Sequence, residues 1–190
     1  MDRNRLKQVL YDQMEDMDTN TIPNIYHRKE EDMGDLDSPL AQIVIGVRRC
    51  GKSTLCKNVL GKAKVKFGYV NFDDERLAEL TTHDLDDVLM TLYQMHGEVD
   101  YFYFDEIQNI PRWALFVNRL LRQRKRLLIT GSNSRLLATD LATHLTGRHN
   151  KIELQPFSFA EYCDYNGVKT VSRTTKDTGL LARAFDQYLQ

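Results

Sequence analysis

Between Gly46 and Ser53 the chain reads GVRRCGKS, which satisfies G-x-x-x-x-G-K-[ST]. The chemistry implied is anion binding by backbone. Gly46 and Gly51 let the main chain fold into a nest whose N–H groups point inward, and a helix opening after them aims its positive end at the same point. Lys52 is then set to reach the β and γ phosphates of a nucleotide, and Ser53 to offer its hydroxyl to Mg²⁺. Val47, Arg48, Arg49 and Cys50 complete the loop and Thr54 follows it, so Gly46 to Thr54 form the expected phosphate-binding set. Lys52 is otherwise expected to be exposed at a turn. The competing reading is a strand-to-helix turn with an incidental lysine. Composition alone yields such a match in on the order of one percent of chains this long, and this one directly follows an apolar run and opens a helical one. A dinucleotide-binding turn is excluded because G-x-G-x-x-G is absent.

The second chemical block is FYFDEIQN, from Phe102. Apolar residues ending in Asp105 predict a buried strand that delivers a carboxylate to the sheet's C-terminal edge, where ligands bind. Asp105 is the expected acidic partner of Ser53 at Mg²⁺. Glu106 points to another side, where an acid can orient or deprotonate an attacking water. The third block, RLLITGSNS, predicts a further strand; in the sheet order expected of a P-loop protein with this Asp-Glu pair it lies between the other two, its end facing the γ-phosphate. Ser132 or Asn133 there either hydrogen-bonds the attacking water or caps the next helix, and the two roles are compatible. Arg148 follows Gly147 before a further strand. It acts on a neighbouring subunit's nucleotide, stays at home as a phosphate or carboxylate partner, or balances a helix dipole.

Other features carry less. RLLRQRKR, from Arg119, reads as the solvated last turn of a helix rather than a nucleic-acid patch. The five histidines and three cysteines show no ligand spacing, so no zinc site is expected. Tyr101 to Phe104 and Trp113 read as core, and Cys50 as filler within the loop.

Five strands must carry these blocks: AQIVIG, KFGYVNF, YFYF, RLLITG and KIELQ. Most are continuously apolar, as in a parallel sheet buried on both faces. Helices are predicted from Lys52 to near Gly61, around Leu85 to Leu92 behind a Thr81 or Thr82 cap, and after Pro111 with Trp113, Phe116, Val117, Leu120 and Leu121 as the buried stripe. A fourth uses Leu136, Leu137, Leu141 and Leu145. Alternating strands and helices specify an α/β doubly wound sheet. Residues 1–37 are expected to be a lead-in, with a short helix on Leu6, Val9, Leu10 and Met14 and an exposed acidic loop, EEDMGDLDSP. The core spans 38–170, and 171–190 starts a helical region after a polar loop.

Bulk properties agree with one folded domain. The 190 residues carry 26 Lys plus Arg against 27 Asp plus Glu, so bulk-charge nucleic-acid binding is excluded. No apolar run approaches the roughly 18 residues of a membrane span. An odd cysteine count points to reduced thiols, and the absence of a visible signal segment to a cytoplasmic protein.

GVRRCGKST, YFYFDEIQNIPRW, LLITGSNS and LTGRHNKIELQPFSFAEY, in that order, resemble the prokaryotic AAA+ superfamily ATPases whose P-loop reads G-x-R-R-x-G-K-[ST]. The resemblance covers about residues 20–190. It implies a P-loop NTPase sheet of ASCE type with order 5-1-4-3-2, ATP as nucleotide, and Mg²⁺. It also implies Lys52 and Ser53 as nucleotide contacts, Asp105 and Glu106 as metal and hydrolysis acids, a sensor segment from Thr130, and Arg148 as a finger-like arginine. That family continues into a lid and a C-terminal domain, so this chain is expected to end before them. Its partners would be a neighbouring copy or its own C-terminal domain. Nucleic acid would enter only through the full-length protein. Two other functions fit a P-loop of this size. A small-molecule or nucleotide kinase has no use for Glu106, whereas a nucleotide-gated binding module with negligible turnover is not separable here. A GTPase lacks its N-K-x-D motif.

Overall fold

Parallel strands buried on both faces need apolar residues at nearly every position, and four of the five runs supply them, whereas the edge strand HNKIE buries only Ile152. The computed structural model describes residues 2–17, 25–131, 145–171 and 174–189. Strands β1 (Ala41–Ile45), β2 (Phe67–Asn71), β3 (Tyr101–Asp105), β4 (Arg126–Gly131) and β5 (His149–Glu153) form one sheet in the order β2-β3-β4-β1-β5, all pairs parallel. This is the expected 5-1-4-3-2 order read from the other edge. Register pairs Ile45 with Gly131, Phe104 with Ile129, and Asn71 with Asp105. The C-terminal ends of four strands are therefore level.

Strand periodicity divides the core between two faces. Phe102, Phe104, Ile43 and Ile129 pack with α1 (Arg3–Asp16), α3 (Leu85–His96) and α4 (Trp113–Arg122). Tyr103, Val44 and Leu128 face α2 (Lys52–Ala63) with Leu55, Cys56 and Val59. Trp113, Phe102, Tyr103 and Phe104 are fully buried and belong to the core, whereas Tyr101 is only partly buried and its hydroxyl donates to Asp37 at 2.7 Å. Helix α3 is led by a Thr81–Asp84 capping box and stopped by Gly97 at positive φ. Of the fourth expected helix, Leu136, Leu137 and Leu141 lie outside the described residues, and Leu145 is buried.

Two expectations are corrected. The acidic lead-in is exposed only in part: Asp32, Asp35 and Asp37 are exposed, whereas Glu30 and Glu31 are buried in a 3-10 turn, Lys29–Met33. A buried carboxylate must be partnered. Glu31 accepts from Asn58 Nδ2 at 2.7 Å and the Arg28 N–H at 3.1 Å, and Lys62 Nζ lies 2.8 Å away, which ties the turn to α2. The chain forms two compact units, 1–154 and 155–190. Helix α1 puts Leu6, Val9 and Leu10 into the core of the first unit. In the second, α5 (Phe159–Tyr165) and α6 (Thr175–Tyr188) share aromatic contacts: Phe159 meets Phe185 and Tyr188, and the Tyr188 hydroxyl donates to the Phe157 carbonyl at 2.8 Å. Second, the last helix starts earlier than expected, because Thr174 caps α6 by accepting from the Asp177 N–H. Among the described residues, no helix is long and apolar enough to cross a membrane.

Helix α1 also closes the β2 edge. Gln13 donates to the Asn71 carbonyl at 3.0 Å, accepts from the Asn71 N–H at 3.0 Å, and donates to Asp74 at 2.9 Å. Arg76 donates to both Asp74 oxygens, at 3.0 and 2.8 Å, and to Asp12 of α1 at 2.6 Å. The Arg76 hydrogen bonds hold the Asp74 carboxyl at about 2, below its ordinary 3.8. A folded value below the unfolded one gives stability that is present above pH 4 and lost as pH falls towards 2. Asp74→Asn is therefore expected to cost about 2 kcal/mol in urea unfolding at pH 6. The gap from wild type should close between pH 4 and 2, and a gap constant across that range would contradict the assignment.

Candidate functional site

The P-loop leaves β1 at Gly46 and enters α2 at Lys52. Gly46 is required by contact: a Cβ there would lie 2.3 Å from the Leu154 carbonyl oxygen and 2.7 Å from Cys50 Sγ. Gly51 is required by conformation, since it caps α2 at φ 96°, and Arg49 is also left-handed at φ 65°. Cys50 turns inward and is buried with Leu55 and Cys56, which agrees with a filler role.

Lys52 is not exposed; its side chain is 5% accessible. Its ammonium donates to the Gly46 and Val47 carbonyls at 3.3 and 3.2 Å and stands 3.5 Å from Glu106 Oε1. Ser53 Oγ donates to Asp105 Oδ2 at 2.9 Å. Thr130 Oγ1 donates to Asp105 Oδ1 and accepts from the Glu106 N–H at 3.0 Å. One hydroxyl on β4 thus fixes both acids. Burial pushes the Asp105 carboxyl above its ordinary value, the hydrogen bonds from Thr130 and Ser53 oppose the rise, and the Glu106 charge adds to it. Burial also raises the Cys56 thiol and the Tyr103 phenol well above their usual range, so neither is a nucleophile near neutral pH.

These groups open into a cavity of about 380 Å³ lined by Arg48, Arg49, Gly51 to Thr54, Asp105, Glu106, Asn71 and Asp73. Asn71 and Asp73 escaped the sequence reading. Asn71 is the register partner of Asp105, and Asp73 meets Arg48 at 3.2 Å and Asn109 Nδ2 at 3.3 Å. The end of the KFGYVNF run was the available signal, but only the register makes it informative. Ser132 and Asn133 lie outside the described residues. Arg148 is not brought to this pocket. Its carbonyl accepts from the Ala41 N–H at the start of β1, and its guanidinium donates to Asn118 at 3.0 Å. About 15 Å of strand separates that level from Gly46, which removes the role of Arg148 as a phosphate partner within its own chain.

The donor set suits a phosphate and a hard cation. A hydroxyl and a carboxylate 2.9 Å apart offer oxygen ligands. Two side-chain oxygens suit an ion that keeps several waters and takes phosphate oxygens, as Mg²⁺ does, and are too few for an all-protein cage.

An AAA domain family model matches residues 38–163. The chain belongs to the AAA domain family. Two uncharacterized proteins are similar to this AAA domain. One, from Methanocaldococcus jannaschii, is 32% identical over 151 residues, covering 78% of this chain and 34% of its own length. The other, from Haemophilus influenzae, is 33% identical over 145 residues, covering 72% and 36%. The chain spans about a third of the length of these relatives. In fold the chain is similar to a Walker-type ATPase of Pyrococcus abyssi, with a TM-score of 0.50 and 17% identity over 74% of this chain and 56% of that one.

The two kinds of glycine in this region can be told apart. Gly46→Ala drives a Cβ into backbone and is expected to cost about 1–3 kcal/mol or more in urea unfolding. Gly61→Ala, inside α2 where a Cβ meets nothing within 4 Å among the described residues, should instead stabilise by up to about 1 kcal/mol. Equal effects would contradict the close approach of Gly46 to Leu154.

Proposed function

We propose that this AAA domain binds ATP with Mg²⁺ and hydrolyses it, and that its nucleotide state is read by the rest of a longer protein. One observation carries the reading: Lys52 and Ser53 at the start of α2, and Asp105 and Glu106 at the end of β3, converge on one pocket. In this reading Ser53 and Asp105 would hold the metal, which when bound would supply positive charge to the phosphates. Lys52 leaves the Gly46 and Val47 carbonyls to neutralise the phosphates. Glu106 lies beside that lysine and orients or deprotonates the attacking water. Thr130, placed where the sensor segment begins, keeps both acids in register. Water-activating chemistry is favoured over a kinase because Glu106 occupies the pocket itself. The likeness in fold to a Walker-type ATPase supports the same activity class.

Arg148, at the far edge of its own sheet, is assigned to a neighbouring copy's nucleotide, so assembly would raise turnover. An arginine supplied in this way is worth about 10³ to 10⁵ in rate in related phosphoryl-transfer systems, and the monomer is expected to show only basal hydrolysis.

ATP with Mg²⁺ should raise the melting temperature of the wild type more than GTP does. Lys52→Ala should abolish that rise. Glu106→Gln should keep the rise and lower turnover by about 10²-fold or more. An ATP-induced shift that survives Lys52→Ala, or full turnover in Glu106→Gln, would contradict the proposal.

A further inference from the structure

Glu106 is held by a residue two positions further on. Gln108 Nε2 donates to Glu106 Oε2 at 2.6 Å, while Lys52 Nζ lies 3.5 Å from Oε1. The two carboxylate oxygens thus face donors from different elements. A local turn produces this geometry. Glu106 adopts a left-handed conformation, φ 52° and ψ 40°, and starts the 3-10 turn Ile107–Asn109. Ile107 is fully buried in the core, which returns Gln108 to the side of Glu106. The Asn109 N–H donates to the Glu106 carbonyl at 3.1 Å and the Ile110 N–H to that of Ile107 at 3.0 Å, closing the turn.

The orientation of the amide follows from charge. A carbonyl oxygen turned towards a carboxylate is repelled, so the nitrogen faces Glu106. Gln108 Oε1 is consequently buried without a hydrogen-bond partner among the described residues. A buried orphan acceptor lowers stability. The glutamine is therefore a poor choice for packing at this position, and its polarity is accounted for by what its nitrogen does.

We propose that Gln108 is a positioning residue for Glu106. Lys52 has to give up Glu106 when it engages phosphate, and a glutamate has three rotatable bonds with which to follow it. The Gln108 amide holds the other oxygen, so the carboxylate stays aimed at the attacking water when the lysine moves. The assignment rests on the ATPase reading.

The test uses the full chain and five proteins: wild type, Gln108→Met, Gln108→Asn, Glu106→Gln and the Gln108→Met/Glu106→Gln double variant. Methionine keeps the length of the side chain and removes both polar ends. Without nucleotide, the melting temperature of Gln108→Met should stay close to that of wild type, because removal of the orphan acceptor offsets loss of the hydrogen bond to Glu106. Its KM for ATP should stay within about twofold, while kcat falls about tenfold with the loss of a charge-assisted hydrogen bond. Measured with excess enzyme, the residual rate of Glu106→Gln should not fall further when Gln108→Met is added, because the two act as one unit. Gln108→Asn, one methylene too short to reach, should show the same split between kcat and KM. Unchanged kcat, a kcat loss matched by a lower melting temperature, or an equal loss in the Glu106→Gln background would overturn the role of Gln108. A wild type that binds ATP and does not hydrolyse it would instead overturn the ATPase reading, and the role of Gln108 with it.

Discussion

The site depends on one buried carboxylate. Asp105 is 5% exposed at the end of β3, where an isolated charge would be costly. It is tolerated because two hydroxyls donate to it, Ser53 from the P-loop helix and Thr130 from β4. Those bonds require β3, β4 and the start of α2 to end at the same level, which is what parallel pairing in the order β3-β4-β1 provides. Thr130 also accepts from the Glu106 N–H, so Asp105 and Glu106 share one anchor. A shift of one residue in β4 would turn Thr130 to the other face and release both.

Elements far from the pocket serve this arrangement. Helix α2 carries Lys52 and Ser53 at its first turn, and the Glu31 network fastens its later turns through Asn58 and Lys62. Gln13 of α1 satisfies the edge of β2 at Asn71, beside the pocket, where otherwise an unpaired N–H and C=O would face outward. The N-terminal region thus belongs to the scaffold that holds the site, although its composition is that of a lead-in.

What could be read from the sequence was local. The P-loop is contiguous, and its glycines, lysine and serine declare themselves by spacing; strand order followed from the resemblance that the motif blocks carry. What could not be read depends on contacts distant in sequence. Asn71 and Asp73 are near the pocket only through the register of β2 with β3. Glu31 is acidic in an acidic stretch, and its burial is set by partners on α2. Lys52 is buried because the loop folds its own carbonyls over the ammonium. Helix α5, at seven residues, is too short for periodicity to announce. Its Ser158–Glu161 capping box was the signal, and it stood in the sequence unread.

The most direct test of the shared anchor is Thr130→Val, with Thr130→Ser beside it. Valine keeps the shape and removes the hydroxyl, leaving a buried carboxylate oxygen and a backbone N–H without this partner. Unfolding free energy and Mg²⁺-dependent ATP turnover should be measured on both variants. The valine variant should lose about 1–3 kcal/mol and most of its turnover, and the serine variant, which restores the hydroxyl, should recover the larger part of both. A valine variant as stable and as active as wild type would show that the two acids are positioned without Thr130, and would contradict this account.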